Sequence, residues 1–214
     1  MRRLIDAGME QLAGIIFRMG ELAYETVSSA LNGYVNGRDS YQLVENTSAT
    51  LVEMADQAED KAFELIARFQ PVASDLRILK SFMKIAYDFE RFGRYALDVS
   101  QVQKKLDGLG ECEDWITTSI KEMSKKVLNM VRTGVDSLKS RDAKLALTLS
   151  ETENQVDQMY FGYLDKLVEK APATNRCTIS SVLVVRYLER IADHATYVGE
   201  SIIYFVTGEK VTLR

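Results

Sequence analysis

The chain has 214 residues, 46% of them hydrophobic, with two prolines, twelve glycines, two cysteines, a single histidine and a formal net charge of −4. That apolar content buries one large core or two smaller ones, and the scarcity of Pro and Gly beside abundant Ala, Leu, Glu, Lys and Met points to an all-α protein. The acidic balance, with no basic stripe carrying interleaved aromatics, sets aside nucleic acid as a partner and weighs against an anionic membrane surface.

Near the N-terminus, Asp6 and Glu10 arrive before a continuous apolar run develops. Neither a signal peptide nor direct membrane insertion is expected there, and a cytoplasmic protein follows. Cys112 and Cys177 have no Cys-x-x-Cys spacing and no flanking His, which reads as two ordinary thiols in a reducing compartment.

The first helix runs from Arg2 to about Val35, with apolar residues returning every three or four positions from Leu4 to Leu31. Asn36-Gly37-Arg38-Asp39 supplies a C-capping glycine and an N-capping aspartate, so the chain turns and begins a second helix that ends at Phe69. Gln70-Pro71 stops it, because proline disfavours helical geometry in the residue before it. The third helix opens near Val72 and closes before Asp107-Gly-Leu-Gly110. A fourth periodic segment spans Trp115 to Leu138, and Lys139-Ser-Arg-Asp142 turns the chain into a fifth helix from Ala143 to about Lys170. Ala171-Pro172 breaks that one, and a sixth helix extends from about Thr178 to Val206, closed by Gly208.

These breaks recur. Asp39 and Asp142, Pro71 and Pro172, and Glu90-Arg-Phe-Gly and Glu189-Arg-Ile-Ala are each separated by about 100 residues, too long a period for a solenoid array. A three-helix unit is used twice, which predicts two tandem antiparallel three-helix bundles, residues 1–107 and 108–214, related by an internal repeat. Short turns make neighbouring helices antiparallel, so the fifth helix lies beside the sixth.

On the sixth helix Glu189, Asp193 and Glu200 fall within roughly 40° of one another, at the margin of the apolar face set by Leu188, Ile191, Ala192 and Ala195. Such a stripe of like charge needs a cation, a basic partner or open solvent. A solvated face with Arg186 and Arg190 beside it accounts for an isolated Glu-x-x-x-Asp.

Gln70-Pro-Val-Ala-Ser-Asp-Leu-Arg77, Glu189-Arg-Ile-Ala-Asp-His-Ala195 and Ile203-Tyr-Phe-Val-Thr-Gly208 resemble the signature segments of the PhoU family. The resemblance spans both repeats. It implies a pair of three-helix bundles that regulates phosphate uptake and phosphate signalling, acting as an adaptor on a phosphate transporter ATPase subunit or a signalling protein, with a homodimer compatible. It also implies that Glu/Asp-x-x-x-Asp motifs on the second and third helices of a bundle hold transition metal ions.

In this sequence the second half keeps that pattern. Glu153 and Asp157, four apart on the fifth helix, join Glu189, Asp193 and Glu200 as candidate ligands for iron, manganese, zinc or magnesium. The first half departs from it: Glu90 is kept, but Arg94 and Gln101 stand where the second half has Asp193 and Glu200. Arg94 is expected to serve as countercharge there, neutralising one of Asp56, Glu59 and Asp60. His194 lies well off the carboxylate stripe and reads as a residue that packs or supports a ligand from behind rather than as a ligand; a ferritin-like di-iron site needs Glu-x-x-His on two helices. Asp75 and Arg77 fit the first turn of a helix and need no binding role.

The leading function is therefore the regulatory adaptor, with a PhoU-like paralogue serving a different transporter as a variant of it. The competing class is a metal-dependent phosphoester hydrolase; the sequence offers it no nucleophile with a base and no Gly-rich phosphate loop. A metal-free structural bundle is the third reading. Tight phosphate binding is not expected, since neither first-half nor second-half signature segment brings a Lys or Arg cluster to a helix N-terminus.

Overall fold

The computed structural model describes residues 2–110, 112–172 and 175–214, of which 87% are helical, with no strand among them. The helices are α1 (Arg2–Asn36), α2 (Tyr41–Phe69), α3 (Ser74–Leu106), α4 (Asp114–Ser140), α5 (Ala143–Leu147), α6 (Leu149–Lys170) and α7 (Arg176–Thr207). The expected fifth helix is thus two segments. The Thr148 N–H and hydroxyl both donate to the Leu145 carbonyl, at 3.1 and 2.7 Å, closing a three-residue turn where a continuous helix would bond four residues back.

The turns repeat as the sequence pattern requires. Asp142 caps α5 by accepting from the Lys144 and Leu145 N–H groups, whereas the N-cap position of α2 is Ser40 and not the expected Asp39, which lies one residue earlier and accepts from the Tyr41 N–H. Both α2 and α6 end on a left-handed residue followed by proline: Gln70 at φ 48° before Pro71, and Ala171 at φ 41° before Pro172.

Each helix buries one stripe. On α1 it is Leu12, Ile16, Met19, Ala23, Val27, Ala30 and Tyr34, spaced by threes and fours. The two halves, α1–α3 and α4–α7, share a single continuous core, with α3 against α7 and α1 against α4 along the seam. Across that seam His194 Nδ1 lies 2.8 Å from Asp88 Oδ1, and the Tyr95 ring stands 6.3 Å from that of Tyr187. Residues 88 and 95 are related to 187 and 194 by the offset that relates Glu90 to Glu189, so these are two copies of one contact, one polar and one aromatic.

Cys112 and Cys177 are joined in a disulfide, with Cα atoms 5.4 Å apart, and are not free thiols. The α3–α4 loop and the start of α7 lie at the same end of the molecule. Side by side in space but 65 residues apart in sequence, the two cysteines leave no local spacing to read.

Candidate functional site

The acidic centre of the second half is built on facing helices. Glu153 and Asp157 rise from α6, and Glu189 and Asp193 from α7; Glu153 and Asp193 are almost fully buried, at 2% and 4% exposure. Four apart on a helix, each pair shares a face, and the apolar neighbours Val156, Leu188 and Ala192 carry that face inward.

Burial and mutual repulsion set the electrostatics. Burial first, then the charges of Asp157 and Asp193, raise the Glu153 carboxyl above the ordinary carboxylate range, opposed by Arg214. Asp157 is raised in the same way by burial and by Asp193, against Arg214 and Arg186. Glu189 is pushed up to about 7, by burial first and then by Asp193, with Arg186 opposing and Asp157 adding.

Three guanidinium groups supply the countercharge. The two oxygens of Asp193 meet different arginines, Oδ1 at 2.8 Å from Arg214 Nη1 and Oδ2 at 3.1 Å from Arg190 Nη1. Glu189 Oε2 stands 2.8 Å from Arg186 Nη1 and 3.5 Å from Arg190 Nε. No N–H is aligned on Glu189 Oε2, so this buried oxygen has charge balance but no hydrogen bond.

Glu200 stands apart from these four. Seven residues beyond Asp193, it shares the angular sector but lies about 10 Å further along the axis. There its Oε1 accepts the Leu213 N–H at 3.1 Å. Residues 208–214 fold back along α7 from the Gly208 cap, bury Leu213, and end with Arg214 on Asp193. Nothing in the helical periodicity announced this return.

Among the described residues, no three His, Cys, Asp or Glu side chains are gathered closely enough to hold a metal ion. What the site does contain is a cluster of carboxylates raised by burial first and then by mutual repulsion, balanced by arginines. In the first half Arg94 pairs with Glu90 on its own helix and not with Asp56, Glu59 or Asp60 of α2, because the i,i+4 partner is nearest.

His194 is a packing residue as expected, its ring 5.4 and 5.7 Å from those of Tyr197 and Tyr95. Its partner Asp88, 3% exposed, escaped the sequence reading although an aspartate amid Phe82, Ile85, Phe89 and Phe92 was the available signal. Burial raises the Asp88 carboxyl, opposed first by His194. Asp75 lies in the first turn of α3, and the Arg77 guanidinium lies against Gly208, where an added Cβ would stand 3.0 Å from Nη1. Two of the three signature segments therefore meet in space.

The PhoU domain family model matches the chain twice, at residues 16–102 and 120–202. The chain belongs to the PhoU family. It is 30% identical to the phosphate-specific transport system accessory protein PhoU homolog of Clostridium acetobutylicum, over 99% of this chain and 98% of that protein. It is 31% identical to the PhoU homolog of Caulobacter vibrioides, over 95% and 90%. The crystal structure of PhoU from Pseudomonas aeruginosa matches with a TM-score of 0.89 at 29% identity, covering 95% of this chain and 99% of that one. The phosphate transport system regulatory protein PhoU from Streptococcus pneumoniae matches with a TM-score of 0.86 at 23% identity, covering 97% and 99%, a likeness of fold. The two matched stretches fall one in each half, α1–α3 and α4–α7, so the duplication seen in the turns is a duplication of the PhoU unit.

Proposed function

We propose that this protein is a regulatory adaptor of phosphate uptake and phosphate signalling, acting by binding the ATPase subunit of a phosphate transporter or a phosphate-signalling protein rather than by catalysis. The observation that carries this reading is that both PhoU repeats are present and that near-complete overlap links the chain to proteins named for phosphate-specific transport. A place at the cytoplasmic face of the membrane goes with that role; no helix of the described residues is long and apolar enough to cross a membrane. The disulfide withdraws the cysteine argument for that compartment, which now rests on the proposed partner.

The metal belongs to the same proposal. Glu153, Asp157, Glu189 and Asp193 would hold iron, manganese, zinc or magnesium in exchange for the guanidinium groups of Arg214 and Arg190, both of which now occupy Asp193. When bound, such an ion supplies the positive charge that these acids otherwise draw from arginine. Glu200, tied to the tail backbone, takes no part in the set.

Affinity purification of the tagged protein from detergent-solubilised membranes tests the adaptor: the transporter ATPase subunit should co-purify, and deletion should change phosphate uptake. Recovery without any transporter or signalling component, together with unchanged uptake, would reject it. Phosphatase turnover with added manganese would favour the hydrolase instead, and elemental analysis of the purified protein decides the metal.

A further inference from the structure

The residues of α3, of the C-terminal part of α7 and of the returning tail line a cavity of about 320 Å³. Lys80 and Lys84, one turn apart on α3, and Lys210 from the tail line it, and none of the three is in an ion pair among the described residues. The ammonium groups of Lys80 and Lys210 both stand within 6.0 Å of the Tyr204 ring centroid. Two serines, Ser81 of α3 and Ser201 of α7, also line the cavity; both are buried, at 1% and 3% exposure, and neither hydroxyl has a hydrogen-bond partner.

The charge is unbalanced. Three ammonium groups face one lining carboxylate, that of Glu200, which already accepts the Leu213 N–H. Asp88 lies within electrostatic reach of Lys84 but is engaged by His194. In a chain of net charge −4, a pocket lined by three ammonium groups to one carboxylate, beside buried hydroxyls without a partner, suits one further component, an acceptor-rich anion.

We propose that this cavity binds a phosphate-type oxyanion through Lys80, Lys84 and Lys210, with the hydroxyls of Ser81 and Ser201 donating to it. A tetrahedral dianion offers several acceptor oxygens and two charges, matching converging ammonium and hydroxyl groups better than a single carboxylate does. Lys80, Lys84 and Glu200 also line a neighbouring, larger cleft of about 720 Å³ whose walls include Phe63, Met83, Tyr87 and Tyr197 beside the acids Glu59 and Asp88. The oxyanion is accordingly free phosphate or the head of a phosphate monoester whose organic part enters that cleft. The lysines come from the tail and from α3 beyond its first turn, outside the signature segments, which is why those segments gave no sign of the site. The proposal is independent of the adaptor reading, since calorimetry reads it without any partner.

Titration calorimetry of the whole protein with inorganic phosphate and, separately, with phenyl phosphate tests it. Saturable binding is expected for at least one, weakened about tenfold or more by the Lys84→Gln, Lys210→Gln double variant. Ser81→Ala with Ser201→Ala should also weaken binding while leaving the melting temperature unchanged or raised, because a donor without a partner contributes nothing to the fold. Phenyl phosphate binding about tenfold tighter than phosphate identifies the monoester; equal affinity identifies the free ion. Absence of saturable binding by both ligands, or binding indifferent to both double variants, overturns the proposal.

Discussion

Arg214 reaches back along the last helix to place its Nη1 2.8 Å from Asp193 Oδ1, so that residues 21 apart in sequence form an ion pair at the acidic centre of the second bundle. The same guanidinium lowers the carboxyls of Glu153 and Asp157, opposing the burial and repulsion that raise them. One side chain from the tail therefore compensates acids on two helices, the role that the family resemblance gives to a metal ion.

Removing it should be felt, and a divalent cation should repair the loss. In the presence of chelator, Arg214→Gln is expected to lower stability by about 1 kcal/mol at pH 7, modest because the arginine is partly exposed. Manganese should then raise the melting temperature of the variant more than that of the wild type, since the ion no longer competes with a guanidinium. Scanning calorimetry with and without manganese measures both, and equal responses of the two proteins would mean that no ion takes the place of Arg214.

Glu189 gives the stability a pH dependence of defined sign. Its folded-state pKa of about 7 lies above the ordinary 4.5, so the folded protein keeps a proton that the unfolded chain releases. That contribution is fully present below pH 4.5 and is lost as pH rises through 7. Chelated wild type should lose at most about 3 kcal/mol over this window, and Glu189→Gln should show a flatter profile and be the more stable at pH 8. Glu21, held low chiefly by Lys139 and then by Arg132 against partial burial, acts in the opposite sense but below its ordinary value of 4.5. Urea titrations at several pH values check this, and parallel profiles for the two proteins would place the dependence on another group.

Gly108 is a backbone position with little freedom to change. Its φ is +63°, and a Cβ built there would stand 2.9 Å from the Tyr34 carbonyl oxygen, a backbone atom held by α1. The Tyr34 hydroxyl in turn lies 2.9 Å from Ser180 Oγ, linking this loop to α1 and α7. Gly108→Ala should cost about 2 kcal/mol in denaturant unfolding, from strain and displacement together. A variant within a few tenths of a kcal/mol of wild type would show that the loop relaxes away from α1.

The helices, their turns and the duplication were readable because each rests on local chemistry: a 3.6-residue apolar period, Asp39 and Asp142 at equivalent turns, Pro71 and Pro172 after left-handed residues. The grouping of Glu153 and Asp157 with Glu189 and Asp193 followed from the family resemblance, with i,i+4 geometry placing each pair on one face. What escaped depends on contacts distant in sequence. Arg214 and Leu213 belong to a tail without periodicity, Asp88 meets its histidine only across the seam, and Lys210 joins Lys80 and Lys84 only after the tail has returned. Thr148 is a near miss of another kind, since its hydroxyl breaks a helix that its neighbours favour.

The disulfide makes the last test. Cys112 and Cys177 close a loop of 65 residues holding α4, α5 and α6, so the bond constrains the unfolded chain over the part of the second bundle that precedes α7. The chain-entropy model puts the effect at about 4 kcal/mol, and measured values for such bridges run from about 2 to 4. Dithiothreitol should therefore lower the denaturation midpoint of the wild type and leave Cys112→Ser, Cys177→Ser unmoved. The double variant should resemble the reduced wild type in stability while retaining its helical circular dichroism, because the core joining the two halves does not depend on the bridge. A wild type whose midpoint ignores the reductant, with both thiols then titratable, would show that the bridge forms in the fold without stabilising it.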